Sequence, residues 1–188
     1  MEDRPVTEID LTLLGDPALF KKINSQTQLF VRLFTEIGNT FPQEYLQKIH
    51  LGSMGVKVSK GNQLDSLPYQ VLDIIRDFDP HTGLNLRLLN WWGKGLYCII
   101  LYGSDAALKY SNAIQGLSED YALSRESTKW DYAKIIGTSI TGPFDLKWHV
   151  AHFKHCQIIK KIELVSDYNK LKLSITNHIL HLMDIHQQ

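Results

Sequence analysis

Apolar side chains recur at helical spacing near both ends of the chain. In the first stretch, Asp16 is a good N-cap and Pro17 suits the first helical position, where its missing N–H has no hydrogen bond to make. The apolar face of this predicted helix precedes Gly38 and consists of Leu19, Ile23, Phe30, Leu33, Phe34 and Ile37. A shorter helix is predicted over residues 42–50. A last helix is predicted after Ser166 or Asp167, with a core face of Leu171, Ile175, Ile179 and Leu182.

Three runs in the middle of the chain are rich in Val, Ile and Leu and predict strands. Turn-forming residues at 60–62 and 79–83 separate them. The runs are residues 56–58, 69–75 and 84–102. Within the last run, Leu84, Leu86 and Leu88 alternate with other residues, and the glycine-rich segment 93–95 interrupts the pattern. We therefore expect residues 84–102 to form an antiparallel hairpin.

The chain after this hairpin is less regular. Ser104 is predicted to cap a second long helix, because apolar residues continue at spacings of three and four as far as Tyr121. Residues 125–146 show only scattered apolar positions, and residues 147–164 fit either a strand or a helix. Consecutive strands between terminal helices indicate antiparallel pairing, which is typical of the α+β class.

The length of 188 residues and a hydrophobic content of 44% fit one compact domain. We therefore predict a single α+β domain over residues 1–188, with a central antiparallel sheet, helices at both chain ends and one long helix after the central hairpin. The sequence leaves open whether residues 1–15 are loosely ordered.

Composition and charge exclude several classes of protein. The chain has 20 Lys and Arg against 20 Asp and Glu, whereas a dedicated nucleic-acid binder usually has a basic excess. Its N-terminal residues are not those of a signal peptide, and its longest apolar run, residues 96–102, is too short to span a membrane. Two cysteines are too few for a disulfide-rich domain. We therefore expect a cytoplasmic protein that binds neither nucleic acid nor membranes.

One cluster of residues could bind a metal. If residues 149–156 are helical, then His149, His152 and Cys156 lie close to one line, and imidazole and thiolate both bind zinc. If the segment is a strand, His149 faces away from His152 and Cys156, and the cluster separates. We predict no metal and no cofactor, and retain these three residues as weak candidates.

Aromatic residues give a second candidate site. Trp91 and Trp92 end a predicted strand, and Arg87 shares the strand face of Trp91. One interpretation is that both rings pack beneath neighbouring helices. The other is that Trp91 keeps accessible surface in a concavity with Arg87, because exposed Trp and Arg often mark binding sites. The candidate ligand-binding residues are Tyr69, Asp73, Arg87, Trp91 and Trp92.

The central segment contains Ser66-Leu67-Pro68-Tyr69, then Val71-Leu72-Asp73, and later Trp91-Trp92-Gly93. It resembles a family of uncharacterised small proteins found mainly in Bacteroidetes bacteria, which share a GLPY-x-VLD-like segment and a strand ending in WWGN. Here Ser66 replaces the first glycine and Lys94 replaces the final asparagine. The resemblance implies a bacterial, cytosolic protein. It supplies no catalytic residue, because the family has no assigned activity.

These observations favour a non-enzymatic, cytosolic module that binds a small molecule or another protein. The reason is that no complete catalytic motif occurs in the sequence. The alternative is an enzyme or metalloprotein whose site is assembled from distant residues such as Asp73, Arg87, His149 and His152. The sequence leaves open the ligand or partner and whether the protein forms a homo-oligomer.

Overall fold

The computed structural model describes residues 8–187 and confirms the α+β class. Three helices come first, four strands follow, and the remaining helices and two strands complete the chain. In chain order, the elements are α1 (Leu11–Leu14), α2 (Pro17–Gly38), α3 (Gln43–Ile49), β1 (Lys57–Leu64), β2 (Leu67–Arg76), β3 (Leu84–Trp91), β4 (Gly95–Gly103), α4 (Ser104–Lys109), α5 (Ser111–Gly116), β5 (Ala122–Leu123), α6 (Tyr132–Gly137), α7 (Leu146–Phe153), β6 (His155–Ile162) and α8 (Tyr168–His186).

The six strands form one antiparallel sheet in the order β1-β2-β3-β4-β6-β5. The first four strands are consecutive, as expected when short turns connect antiparallel neighbours. Residues 104–154 then cross to the far side of β4, where β6 pairs with it and the short β5 covers the edge. The predicted hairpin of residues 84–102 is the β3–β4 pair at the centre of this sheet.

Both faces of the sheet are covered. The face that we call the α2 face carries Leu86, Leu88 and Ile100, which pack in one buried cluster with residues of α2 and α8. The opposite face, the α6 face, carries Leu89, Trp91 and Ile99, which pack against Tyr132 and Ile135 of α6. Because alternate residues of a strand point to opposite sides, each central strand contributes to both clusters.

The two long helices begin at the capping residues that the sequence predicts. The Asp16 carboxylate accepts hydrogen bonds from the backbone N–H groups of Ala18 (3.0 Å) and Leu19 (2.9 Å), with Pro17 at the first helical position. Asp167 caps α8 in the same way, through the N–H of Lys170 at 2.8 Å. The predicted core face of α8 is confirmed, because its four residues are all buried. That of α2 is confirmed in part: Leu33, Phe34 and Ile37 are buried, whereas Leu19, Ile23 and Phe30 are only partly buried.

Two local predictions need correction. The long helix expected after Ser104 is divided at Tyr110 into α4 and α5. The turn expected at residues 60–62 is instead part of β1, and the chain reverses at Asp65 and Ser66, whose φ angles are 52° and 58°. Gly61 fits the strand because a Cβ there would lie 2.6 Å from the Tyr69 hydroxyl oxygen. Sequence composition alone does not reveal this close approach.

The segment with two interpretations, residues 147–164, contains both elements. Helix α7 ends at Phe153, Lys154 adopts a left-handed conformation with φ of 61°, and β6 begins at His155. The sequence left open whether residues 1–15 are loosely ordered. Of these, residues 1–7 lie outside the described residues, and α1, which follows them, buries none of its side chains. Between residues 8 and 187, no helix combines the length and apolar character needed to cross a membrane.

Candidate functional site

The five candidate ligand-binding residues all lie on or beside the β2–β3 pair. Tyr69 is opposite Trp91, and Asp73 is opposite Arg87, with all four side chains on the α6 face. Trp92 follows the last residue of β3, and its indole N–H donates to Gln70 Oε1 at 3.0 Å. The five residues are therefore close in space, but they do not all line one cavity.

Arg87 is held by groups of the same chain. Its Nε and Nη2 atoms donate to the two oxygens of Asp73 at 2.7 and 3.0 Å, and Asn85 Nδ2 adds a third hydrogen bond to Asp73 at 3.0 Å. Nη1 donates to the Tyr132 hydroxyl, and the guanidinium lies 5.2 Å from the centre of the Trp130 ring. Each of the three guanidinium nitrogens therefore donates a hydrogen bond within the chain, and we interpret Arg87 and Asp73 as a structural ion pair.

The electrostatic environment agrees with this assignment. Burial acts to lower the pKa of Arg87, but the hydrogen bond and charge of Asp73 and the proximity of Tyr132 outweigh it and leave the pKa raised. Burial also raises the pKa of the Tyr132 hydroxyl, and the neighbouring Arg87 charge only partly offsets that effect. At neutral pH the guanidinium is therefore charged and the phenol is protonated.

The expectation of an accessible Trp91 beside Arg87 is wrong. Trp91 is 2% exposed, and its indole N–H donates to the backbone oxygen of Leu64 at 3.0 Å. The physical reason is that α6 and Trp130, from the segment without a clear sequence pattern, fold over this face. The interpretation that Trp91 packs beneath a neighbouring helix describes its position correctly.

A cavity of about 860 Å³ lies instead at the end of the sheet where β3 turns into β4. Its apolar lining combines the half-buried rings of Trp92 and Phe30 with Leu164, which is 47% exposed. Lys94, Lys161 and Glu163 also line it. We call this space the Trp92 cleft. It is open to solvent and is built from α2, the β3–β4 turn and the end of β6.

Glycines shape one wall of the Trp92 cleft. Gly93 and Gly95 have φ angles of 75° and 127°, which side-chain-bearing residues rarely adopt. A Cβ at Gly95 would also lie 2.8 Å from Cε of Lys161. The glycine therefore allows the Lys161 side chain to cross the turn, where its Nζ lies 5.8 Å from the centre of the Tyr97 ring.

A polar network fixes the orientation of Trp92. Gln70 Oε1 accepts from Trp92 Nε1 at 3.0 Å and from Asn90 Nδ2 at 2.6 Å, and Asn90 lines the cleft. Gln70 Nε2 is enclosed and has no hydrogen-bond partner among residues 8–187. Because Gln70 is fully buried, it acts as a rigid support for the Trp92 ring.

The cleft continues between α2 and α8. An adjoining cavity of about 240 Å³ shares Gln26, Phe30 and Leu164 with it and extends past Tyr168. Its additional lining residues are mainly apolar: Leu29, Leu33, Val165 and Leu171. The two cavities together form an elongated space with apolar walls, and the charged residues Lys94, Lys161 and Glu163 lie at one end only.

The weak metal candidates are not brought together. His149 and His152 lie on α7, whereas Cys156 lies on β6 and is buried in the cluster on the α2 face. His149 is 2% exposed, and burial lowers its pKa to about 4. His152 stacks on Trp148 with ring centres 4.0 Å apart. In the described part of the chain, no group of three or more His, Cys, Asp or Glu residues is arranged to hold a metal ion.

Comparison with known proteins adds no relative: no family model, curated protein or solved structure matches this chain. The resemblance to a Bacteroidetes family therefore stays a prediction. The site must be interpreted from its own geometry.

Sequence reasoning identified Trp91 and Trp92, which both line the cleft, but missed most of the residues around them. Phe30 and Lys161 lie far from Trp92 in the sequence, and only the packing of α2 and the pairing of β6 with β4 bring them near. Phe30 appeared only as part of a predicted core face. Lys161 lies in the segment that fitted both a strand and a helix, so no local pattern assigned its direction.

Proposed function

We propose that this protein is a binding module for a small amphipathic molecule, with an aromatic or aliphatic body and one anionic group. The observation that carries the proposal is the Trp92 cleft, in which Trp92, Phe30 and Leu164 lie beside Lys161. A volume of about 860 Å³ lies within the range of roughly 300–1,000 Å³ that is typical of ligand pockets. Such pockets combine apolar walls with a few polar groups.

The chemistry of the walls supports this class of ligand. The Trp92 ring is large, rigid and held by Gln70, so it can contact a planar or apolar body at little entropic cost. Within residues 8–187, Lys161 forms no ion pair, either with Glu163, which also lines the cleft, or with another residue, and the Tyr97 ring lies 5.8 Å from its Nζ. Its charge is therefore not neutralised by a carboxylate. Lys94 is 3.7 Å from Asp65 in an exposed pair, and such pairs are weak.

We place this module in the cytoplasm. Cys98 and Cys156 are both free and both buried, and this supports a compartment in which thiols stay reduced. Burial raises the pKa of Cys98 to about 12 and also raises that of Cys156, so neither thiol ionises at neutral pH. We assign no role in binding to these residues.

The test uses 8-anilinonaphthalene-1-sulfonate, which joins aromatic rings to one anionic group. Calorimetric titration of the unaltered protein should give one site. Trp92→Ala should weaken binding about 10-fold, because losing one well-packed aromatic contact costs roughly 1.4 kcal/mol. Trp148→Ala is the matched control, because Trp148 is 51% exposed on α7, outside the cleft. Equal affinities for the two variants would refute the proposal.

A second pair of variants tests the anionic group. Lys161→Met should weaken binding several-fold at low salt and have less effect at high salt, because salt screens exposed charges. Lys147→Met, an exposed lysine on α7, should leave the affinity unchanged. The probe also binds partly unfolded proteins, so each variant must first show a cooperative unfolding transition.

A further inference from the structure

The end of the sheet opposite the Trp92 cleft contains a second cluster of polar groups. Here the end of α3, the loop of residues 77–83 and the start of α4 meet. The loop is fixed by backbone hydrogen bonds, from Gly103 N–H to the Gly83 oxygen at 2.8 Å and from Ser104 N–H to the Pro80 oxygen at 3.0 Å. The side chains it carries are therefore held in defined positions.

At this end, His50 and Asp77 form a close pair. His50 Nε2 lies 2.7 Å from Asp77 Oδ2, and the two side chains are 8% and 18% exposed. The other oxygen, Oδ1, accepts from the Asp79 N–H at 3.0 Å. Because a carboxylate only accepts, Nε2 donates the proton, and in the neutral imidazole the lone pair is on Nδ1. Nδ1 has no hydrogen-bond partner within residues 8–187. It is also not among the side-chain polar atoms of these residues that are buried without a partner.

Gly52 leaves room for this pair. A Cβ at this position would lie 2.3 Å from Asp77 Oδ2 and 3.1 Å from His50 Nε2, so any other residue would displace the carboxylate. Gly52 and Leu51 are the central residues of a turn closed by a hydrogen bond from Ser53 N–H to the His50 oxygen at 3.0 Å. Within the described chain, the N–H groups of Leu51 and Gly52 have no acceptor.

One cavity of about 360 Å³, which we call the His50 cavity, is lined by His50, Leu51, Gly52 and Asp77. Asp105 and Lys109 also line it. An adjoining cavity of about 660 Å³ shares Lys109 and is lined by Lys48 and His181. The proton acceptor therefore lies at one end of a longer groove, and the lysines of two helices, Lys109 of α4 and Lys48 of α3, lie along the other.

We propose that the His50 cavity is a hydrolytic site in which His50 is the general base and Asp77 is its positioning residue. The substrate class is a small ester that carries a separate anionic group. The ester lies near His50, and the anionic group extends toward Lys109 and Lys48. This activity is independent of ligand binding in the Trp92 cleft.

The reaction step balances with water as the only co-reactant. Nδ1 of His50 takes one proton from water while the water oxygen forms a bond to the ester carbonyl carbon. The Asp77 carboxylate stabilises the imidazolium through its hydrogen bond to Nε2–H. The N–H groups of Leu51 and Gly52 are the available donors for the negative carbonyl oxygen. When the bond to the leaving alcohol breaks, that alcohol takes the proton from Nδ1, and His50 returns to its neutral form.

The test measures hydrolysis of the 4-nitrophenyl monoester of succinate and of neutral 4-nitrophenyl acetate. The protein should hydrolyse the succinate ester faster, and His50→Gln should lower kcat at least 100-fold, within the usual range for a general base. Asp77→Asn should lower kcat with little change in KM, and Asp77→Glu should restore part of the rate. His152→Gln, on an exposed side chain of α7, should have no effect.

A measurement on the unaltered protein covers the case in which His50→Gln does not fold. Diethyl pyrocarbonate modifies neutral imidazoles, and mass spectrometry locates each modified histidine. Loss of hydrolysis should follow modification of His50. Hydrolysis that survives complete modification of His50, or an unchanged rate in folded His50→Gln, would overturn the proposal. If neither expected result is obtained, the binding proposal for the Trp92 cleft is unaffected, because the two cavities lie at opposite ends of the sheet.

Discussion

Replacing Arg87 with methionine tests whether the ion pair on the α6 face is structural. The change keeps much of the side-chain volume and removes the charge. It leaves Asp73, 4% exposed, with one side-chain hydrogen bond, from Asn85, where it had three. Removing one partner of a buried pair costs about 3–5 kcal/mol, because the other charge stays buried without compensation. That loss is a large share of the roughly 5–15 kcal/mol that stabilises a typical domain.

The assay is urea unfolding followed by circular dichroism, because tryptophan emission would also report the loss of contact between Arg87 and Trp130. Arg32→Met is the matched control. Arg32 and Glu36 form an exposed pair at 3.8 Å, and its loss should cost less than about 1 kcal/mol. The double variant Asp73→Val with Arg87→Met should be more stable than Arg87→Met alone, since it buries no unpaired charge.

Two results would refute this reasoning. A cost below about 1 kcal/mol for Arg87→Met would mean that water reaches the Asp73 carboxylate. Additive costs in the double variant would mean that the two side chains do not interact, whatever their distance. Either result would mean that Arg87 is free to contact a ligand on the α6 face.

Three further predictions concern the core and its titration. Burial lowers the pKa of His149 to about 4, so this histidine is protonated at a higher pH in the unfolded chain than in the folded protein. The free energy of unfolding should therefore fall by roughly 2–3 kcal/mol as the pH drops from about 6.5 to 4. His149→Gln should reduce that loss, and His152→Gln should not. Cys98 and Cys156 are fully buried and should react with a thiol reagent at least 100-fold more slowly in the native protein than in urea. Phe34→Ala should lower the unfolding free energy by about 3–5 kcal/mol, since Phe34 is fully buried.

The outcomes that contradict these predictions are equally specific. Identical pH profiles for His149→Gln and the parent protein would show that another group dominates acid unfolding. Rapid labelling of either thiol under native conditions would show that the core cluster on the α2 face opens locally. An unchanged unfolding midpoint for Phe34→Ala would show that the C-terminal half of α2 does not pack as described.

Elements that carry a local signal were predictable from the sequence. Asp16 with Pro17 and Asp167 each give a side-chain acceptor at a helix start, and the strict alternation around Leu86 assigns one face of β3. The β3–β4 hairpin follows from glycines with positive φ between two apolar runs. In these places, backbone geometry depends mainly on residues a few positions apart.

The candidate site depends on contacts that no local pattern contains. Helix α6 has six residues, too few for a helical period to stand out, yet it covers Trp91 and supplies Tyr132 to Arg87. The expected helix after Ser104 failed because its apolar residues continue across the break at Tyr110. Asp77 stands just before the predicted turn at residues 79–83 and carries no local signal of its own, because its partner His50 comes from another element.

The most direct test of the Trp92 cleft is a two-dimensional nitrogen–proton NMR titration of the unaltered protein with 8-anilinonaphthalene-1-sulfonate. The four tryptophans give four indole N–H signals, and two of these residues, Trp91 and Trp92, line the cleft. We expect saturable shifts of the Trp92 indole and of the backbone amides of the β3–β4 turn, with the Trp130 and Trp148 indoles unchanged. Shifts confined to Trp130 or Trp148, or no saturable shift at Trp92, would contradict the assignment of this cleft as the binding site.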